Sequence, residues 1–197
     1  MKTRAPRNRT LTCTDAEIAG YSAGLLRLSG SASAESLTDR IVNQDFCTAR
    51  PFLPDGFVDL LILDPPYNLT KNYNGHIFRS KEAEEYTSWF DGVAASLIPL
   101  LRPAASVYVC SDWQTSTLVF PVLDKRLHVR NRITWEREKG RGAKANWKNN
   151  TEDIWFCTVG DDYYFDDEIS PQQAAGYQTP KQFRGTKQAS GNLTLRD

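Results

Sequence analysis

Six residues, Val58-Asp59-Leu60-Leu61-Ile62-Leu63, run almost without polar interruption and stop abruptly at Asp64-Pro65-Pro66-Tyr67-Asn68. So short and apolar a run, closed by two prolines that cannot extend a ladder, predicts a strand buried on both faces of a parallel sheet. A parallel neighbour needs a crossover, and the chain supplies one. From about Lys81 to Leu101, Tyr86, Trp89, Phe90, Val93, Leu97 and Leu100 recur at helical spacing, and Arg102-Pro103 closes the helix. Ser106 to Cys110 reads as the next strand, Thr115 to Lys125 as a second helix, and Val129 to Trp135 and Asp153 to Val159 as two further strands. This alternation predicts an α/β fold with a wound sheet. Ligands gather at the carboxyl ends of such strands, which is where the Asp64 to Tyr67 turn falls.

Upstream, Thr14-Asp15-Ala16-Glu17 forms a capping-box pattern, followed by Ile18, Tyr21, Leu25 and Leu28 at helical spacing. Small residues from Gly30 to Ala34 make a linker, and Asp39 to Phe46 reads as a short strand. The expected organisation is an N-terminal helical extension over 1–36, a catalytic region over 37–165, and a polar, weakly ordered tail over 166–197. The tail carries few large apolar residues, among them Ile169, Tyr177, Phe183, Leu193 and Leu195.

The 197 residues suit one domain with a real core, and 40% apolar residues exclude wholesale disorder. No stretch approaches the 18 or so apolar residues of a membrane span, and the basic start MKTRAPRNRT precedes no apolar signal segment. Cys13, Cys47, Cys110 and Cys157 are scattered, with no C-x-x-C and no histidine cluster. Buried thiols in a reducing cytoplasm are therefore expected, with no metal site. Net charge is zero, with 24 basic and 24 acidic residues. That balance is a cancellation. Lys125 to Lys148 holds nine basic residues against Glu136 and Glu138, a net of +7, and Glu152 to Glu168 holds seven acids with no Lys or Arg. Trp135 and Trp147 interleave the basic block, and Gly140 and Gly142 loosen it. Cations and aromatics on one loop, 136–150, suit phosphate contacts and base stacking, although the charge pattern alone favours an ordinary solvated surface loop.

The turn at Asp64 suits one chemical problem, methylation of an exocyclic amine on a nucleobase. Such an amine is a poor nucleophile because its lone pair is delocalised into the ring. The Asp64 carboxylate and the Pro65 carbonyl can each accept one N–H, drawing nitrogen toward tetrahedral geometry for in-line attack on a methyl sulfonium. The proline pair stiffens the turn that aims the carbonyl. Tyr67 offers a face on which a base taken out of the duplex can stack. Positive charge developing on the amine is stabilised by the same acceptors.

With these residues in view, the chain resembles the amino-specific DNA methyltransferases of the β-class motif order. The resemblance covers about Leu11 to Phe165. It includes Asn43-Gln44-Asp45, Val58 to Asn74, Ser111-Asp112-Trp113, Arg130 to Gly142, and Glu152-Asp153-Ile154-Trp155-Phe156. It implies the Rossmann-like sheet of S-adenosylmethionine-dependent methyltransferases, incomplete here. It also implies Asp64, Pro65, Pro66 and Tyr67 as catalytic residues, and Asp45 and Asp64 near S-adenosylmethionine. Arg137, Lys139, Arg141, Lys144 and Lys148 would face double-stranded DNA. Aspartate at position 64 resembles adenine-N6 enzymes more than cytosine-N4 enzymes, which often carry serine there.

A glycine-rich strand-to-helix turn like D-P-F-x-G-x-G, which such enzymes use to hold the cofactor, has no match among the 12 glycines. The only G-x-G, Gly140-Arg141-Gly142, lies in the basic loop. The expectation is therefore a truncated or frame-shifted product whose tail is unlike the family's continuation. A split enzyme whose second polypeptide carries the glycine turn comes next, and a non-catalytic DNA-binding relic last. An amine methyltransferase acting on a small molecule or a protein release factor can share this turn, but usually with Asn at its first position.

Overall fold

A computed structural model of the protein describes residues 13–73, 75–141, 147 and 149–166; for Tyr73 and 138–141 it describes the backbone only. Contacts divide the chain into units 1–164 and 165–197, and nearly all of the second lies outside the described residues. The expectation of a weakly ordered tail falls there too.

The first unit is built on a four-stranded sheet in the order β1 (Val58–Leu63), β4 (Leu101–Ser111), β6 (Asn149–Thr158), β5 (His128–Arg141). β1 and β4 are parallel, with Leu61 opposite Val107 and Leu63 opposite Val109. β6 runs antiparallel to both β4 and β5. The sheet is thus mixed, since the last two strands form one long antiparallel arm. A small hairpin, β2 (Lys71–Tyr73) and β3 (His76–Phe78), branches from the loop after β1. Gly75 turns it at φ +99°, a conformation that glycine adopts without strain, and its N–H donates to Asn72 Oδ1 (2.7 Å).

Two helices cover one face of the sheet. α4 (Ala83–Leu97) buries Tyr86, Phe90, Ala94 and Leu97, as its periodicity predicts, and α5 (Trp113–Arg126) buries Thr115, Val119, Val122 and Leu123. Glu84 and Glu85 in the first turn of α4, and Lys125 and Arg126 in the last turn of α5, complement the helix dipoles. Arg126 grips Asp91 of α4 with two parallel bonds (2.6 and 2.7 Å), which holds the Asp91 carboxyl below the usual carboxylate range. Tyr86, Phe90, Val107, Val109, Val119, Leu123 and Cys157 form the centre of the core.

Several expectations need correction. β1, at the sheet edge, is not buried on both faces, because among the described residues its second face is left uncovered. Leu61 and Leu63 pack on the core, while Leu60 and Ile62 on the other face are 54% and 68% exposed. Among the described residues no strand pairs with the outer side of β1. Asp39 to Phe46 is not a strand. It contributes one bridge, Leu26 to Val42, and then α3 (Phe46–Ala49), whose N-cap is Asp45. The capping box holds at α1 (Asp15–Ala23), where Thr14 N donates to Glu17 (2.7 Å), but α1 buries no residue, so its apolar spacing covers no core. α2 (Ala34–Leu37) is a single turn. The thiols also divide. Cys157 is buried, which pushes it up to about 12, and Cys110 is half-buried, but Cys13 and Cys47 are exposed. Among the described residues no helix is long and apolar enough to cross a membrane.

Candidate active site

The site begins where β1 ends. Asp64 is exposed, Pro65 is buried, and Pro66 and Tyr67 are partly buried. Three interactions fix this turn. The Tyr86 hydroxyl, from the buried face of α4, donates to the Pro66 carbonyl (2.9 Å). The Asn68 N–H donates to Thr115 Oγ1 (3.0 Å) in the first turn of α5. The Asn68 side chain forms a two-way clasp with the Lys81 backbone (2.7 and 2.8 Å), closing the base of the β2–β3 hairpin. Asp112 caps α5 by accepting from Thr115 N (2.7 Å), so the same threonine ties the helix start to the turn.

The Tyr86 hydroxyl carries an expected result. Tyr86→Phe leaves the packing in place and strands the Pro66 carbonyl. A loss of roughly 1 kcal/mol is expected from such a change, visible as a lower urea midpoint at unchanged slope. An unchanged midpoint would mean the bond does not hold the turn.

A cavity of about 320 Å³ lies against this turn, lined by Asp64, Pro65, Pro66, Tyr67, Lys71 and Glu152. A second, of about 210 Å³, continues past Tyr67 to Trp113, Arg137 and Glu152. Trp113, at the first position of α5, is 58% exposed. Tyr67 and Trp113 thus bring two aromatic rings to one opening.

Electrostatics set the state of Tyr67. Burial first, then the charges of Asp64 and Glu152 and hydrogen bonding to Asp64, push its phenol pKa far above the ordinary value, so its hydroxyl stays protonated and donates. It donates to Glu152 Oε2 (3.4 Å), and Arg137 Nη1 donates to Glu152 Oε1 (2.7 Å). Burial, with Asp64 and Glu152 nearby, also raises the Cys110 thiol.

The expected site residues are only partly brought together. Asp64, Pro65, Pro66 and Tyr67 share one cavity. Asp45 stands on a different turn, where its carboxylate caps α3 by accepting from Thr48 N (3.2 Å). The basic stretch is not a loop throughout. Residues 136–141 are the end of β5, and Asn149 and Asn150 begin β6. Lys139 and Arg141 lie on β5; Lys144 and Lys148 lie outside the described residues. Arg137, expected to face DNA, donates from Nη1 to Glu152. Trp135 and Trp147 are exposed.

Glu152 was legible as one member of an acidic block and of the matched Glu152 to Phe156 stretch, with no role of its own. Its role comes from strand register, Trp135 opposite Glu152, which places it beside the basic residues of β5. The adjacency of a basic and an acidic block along the chain was the available signal.

The chain is similar to known DNA methyltransferases. Over 76% of the chain, 29% of residues are identical to type II methyltransferase M.BglII of Bacillus subtilis, across 43% of that protein. DNA adenine methyltransferase YhdJ of Escherichia coli K12 is 28% identical over 58% of the chain and 39% of its own length. The chain therefore spans under half the length of these curated relatives. The fold matches that of the cytosine-N4-specific PvuII DNA methyltransferase, with a TM-score of 0.54 at 15% identity over 66% of this chain and 54% of that one. A DNA methylase family profile, of N6 and N4 methyltransferases, matches residues 58–194. The match runs through most of 166–197, which corrects the expectation that this stretch is unlike the family's continuation. With most of its length matched, from β1 through the Asp64 turn and beyond, this chain belongs to the N6/N4 DNA methylase family.

Proposed function

We propose that the chain is the catalytic part of an enzyme that transfers a methyl group from S-adenosylmethionine to the N6 amine of adenine in duplex DNA. The observation that carries this reading is an exposed Asp64 carboxylate on a rigid turn, beside a half-buried tyrosine, over a cavity at the carboxyl end of a strand. In this reading Asp64 accepts one proton of the amine and the Pro65 carbonyl the other. The Pro66 carbonyl is already engaged by Tyr86, which supports assigning the second acceptor to Pro65. Tyr67 stacks on the extruded base, with Trp113 a second ring at the same opening.

The residues fit a cationic methyl donor in part. Asp64 and Glu152 bring two carboxylates to the cavity, which suits a sulfonium. Bound there, S-adenosylmethionine would supply an electrophilic methyl group. Asp45 and Asp64 are the residues proposed to hold it. A glycine turn for its methionine portion is not found among the described residues. The uncovered edge of β1, with Leu60 and Ile62 exposed beside it, supports a complement that extends the sheet and brings that turn. The complement can be further chain or a second polypeptide. Lys139, Arg141, Lys144 and Lys148 are proposed DNA contacts, together with Arg137, whose Nη1 is engaged by Glu152 and whose other donors are available to a phosphate.

Cytosine-N4 methylation is the second reading, favoured by the fold match to an N4-specific enzyme and by acceptor geometry that serves either amine. Nucleoside mass spectrometry of DNA from cells producing the protein separates the two. N6-methyladenine is expected. N4-methylcytosine would establish the second reading. Salt-sensitive duplex binding with neither product, whatever complement is supplied, would leave a DNA-binding module.

A further inference from the structure

The proposed function leaves the small β2–β3 hairpin without a task. Two strands of three residues each are not stable alone in water, so the hairpin depends on what it is built on. Phe78 sets its ring edge-on to Tyr86 (centroids 6.4 Å apart) and tilted against Trp89 (5.6 Å), both on α4. At the base, the Asn68 clasp on Lys81 is reinforced by Ser80 N, which donates to Thr70 Oγ1 (3.1 Å). Tyr86 also holds the Pro66 carbonyl, so one residue fixes the hairpin and the Asp64 turn in a common frame.

The hairpin is basic and borders the site. From Leu69 to Ser80 the chain carries Lys71, His76 and Arg79 and no acid. Lys71 is paired opposite Phe78, and it lines both cavities at the Asp64 turn, where Glu152 of the β5–β6 arm is also part of the wall. Arg79, just past β3, is exposed. Every other arginine from Arg50 to Arg137 stands within 3.9 Å of a carboxylate oxygen, whereas Arg79 has no such partner among the described residues. Lys81, at the foot of the hairpin, is likewise paired, with Glu85. An arginine left without an acid can take an external anion. Duplex DNA presents one negative charge about every 1.7 Å of its axis, so a base entering the cavity brings phosphates to the cations beside it.

We infer that the β2–β3 hairpin is a second contact to the DNA backbone, in which Lys71 holds the phosphate beside the extruded nucleotide and Arg79 holds a further phosphate. This rests on duplex DNA as the substrate of the site. The duplex is then gripped from two elements, the hairpin and the β5–β6 arm, which both wall the Asp64 cavity. Because the hairpin shares its anchors with the Asp64 turn, phosphates held there set the position of the backbone relative to the reacting carboxylate.

Binding of duplex DNA to the full chain, read by fluorescence anisotropy across a salt series, tests this without methyl transfer. The phosphate contribution is independent of sequence, so any duplex serves as the probe. Lys71→Gln and Arg79→Gln should each weaken binding and each lower the slope of log affinity against log salt by about 1, and the double variant by about 2. Arg40→Gln removes the same charge from an exposed position in the N-terminal extension and should leave the slope where it was. Arg79→Gln decides the matter if Lys71→Gln does not fold. An unchanged slope in either hairpin variant, with wild-type binding intact, would overturn the hairpin contact and leave DNA as the substrate. An equal fall in Arg40→Gln would also overturn it, because net charge rather than the hairpin would then set the slope. A wild-type chain with no salt-sensitive duplex binding would overturn both the contact and the reading it rests on.

Discussion

Asp64→Ala is expected to lower methyl transfer by at least ~10²-fold, the loss typical when a preorganised group that stabilises transition-state charge is removed. Asp64 is exposed, and its hydrogen bonding is to Tyr67 of the same turn rather than to the core. The same change should therefore leave the thermal midpoint almost where it was, since surface substitutions away from structural features usually fall within about 0.5 kcal/mol. Tritium transfer to DNA and a circular dichroism melt on one preparation check both halves. Retained activity would remove Asp64 from the chemistry. Lost activity with a collapsed melting curve would make it a structural residue.

Phe90→Ala should produce the largest loss of stability. Phe90 is fully buried at the centre of the α4 face, among Tyr86, Val107, Val119 and Leu123. Removing a buried phenylalanine costs about 3–5 kcal/mol through lost burial and the cavity left behind. Against a typical total of about 5–15 kcal/mol, that is enough to unfold a marginal domain. Urea unfolding should show a large drop in midpoint, or a chain unfolded without denaturant. Ile62→Thr, at the exposed edge of β1, is the internal comparison and should move the midpoint little. If the two changes had similar effects, the core would not be centred where α4 meets the sheet.

What was legible in the sequence followed from local pattern. The apolar run of β1, the helical spacing of Tyr86, Phe90 and Leu97, and the capping box at Thr14 each depend on near neighbours, and each formed the element expected. The Asp64 to Tyr67 turn was legible because strand, proline pair and aromatic are contiguous. Long-range facts were not. An apolar strand looks the same at a sheet edge as at its centre, so the exposure of Leu60 and Ile62 could not be read from β1 itself. The short 39–46 segment has strand-like composition, but Asp45 caps a helical turn, and a capping aspartate competes with extension. Glycines and cations around 136–141 read as a loop, although paired with 149–152 they extend an antiparallel arm. Contacts such as Tyr67 to Glu152, 85 residues apart, depend on that register and had no local signature.

The most direct test of the account is label transfer from S-adenosylmethionine to duplex DNA, with the chain alone and with a candidate complement of the β1 edge supplied. Digestion to nucleosides should place the label on the N6 amine of adenine, and the label should vanish with Asp64→Ala. DNA binding under the same conditions with no label on any exocyclic amine would contradict the assignment of the Asp64 to Tyr67 turn as a methylation site.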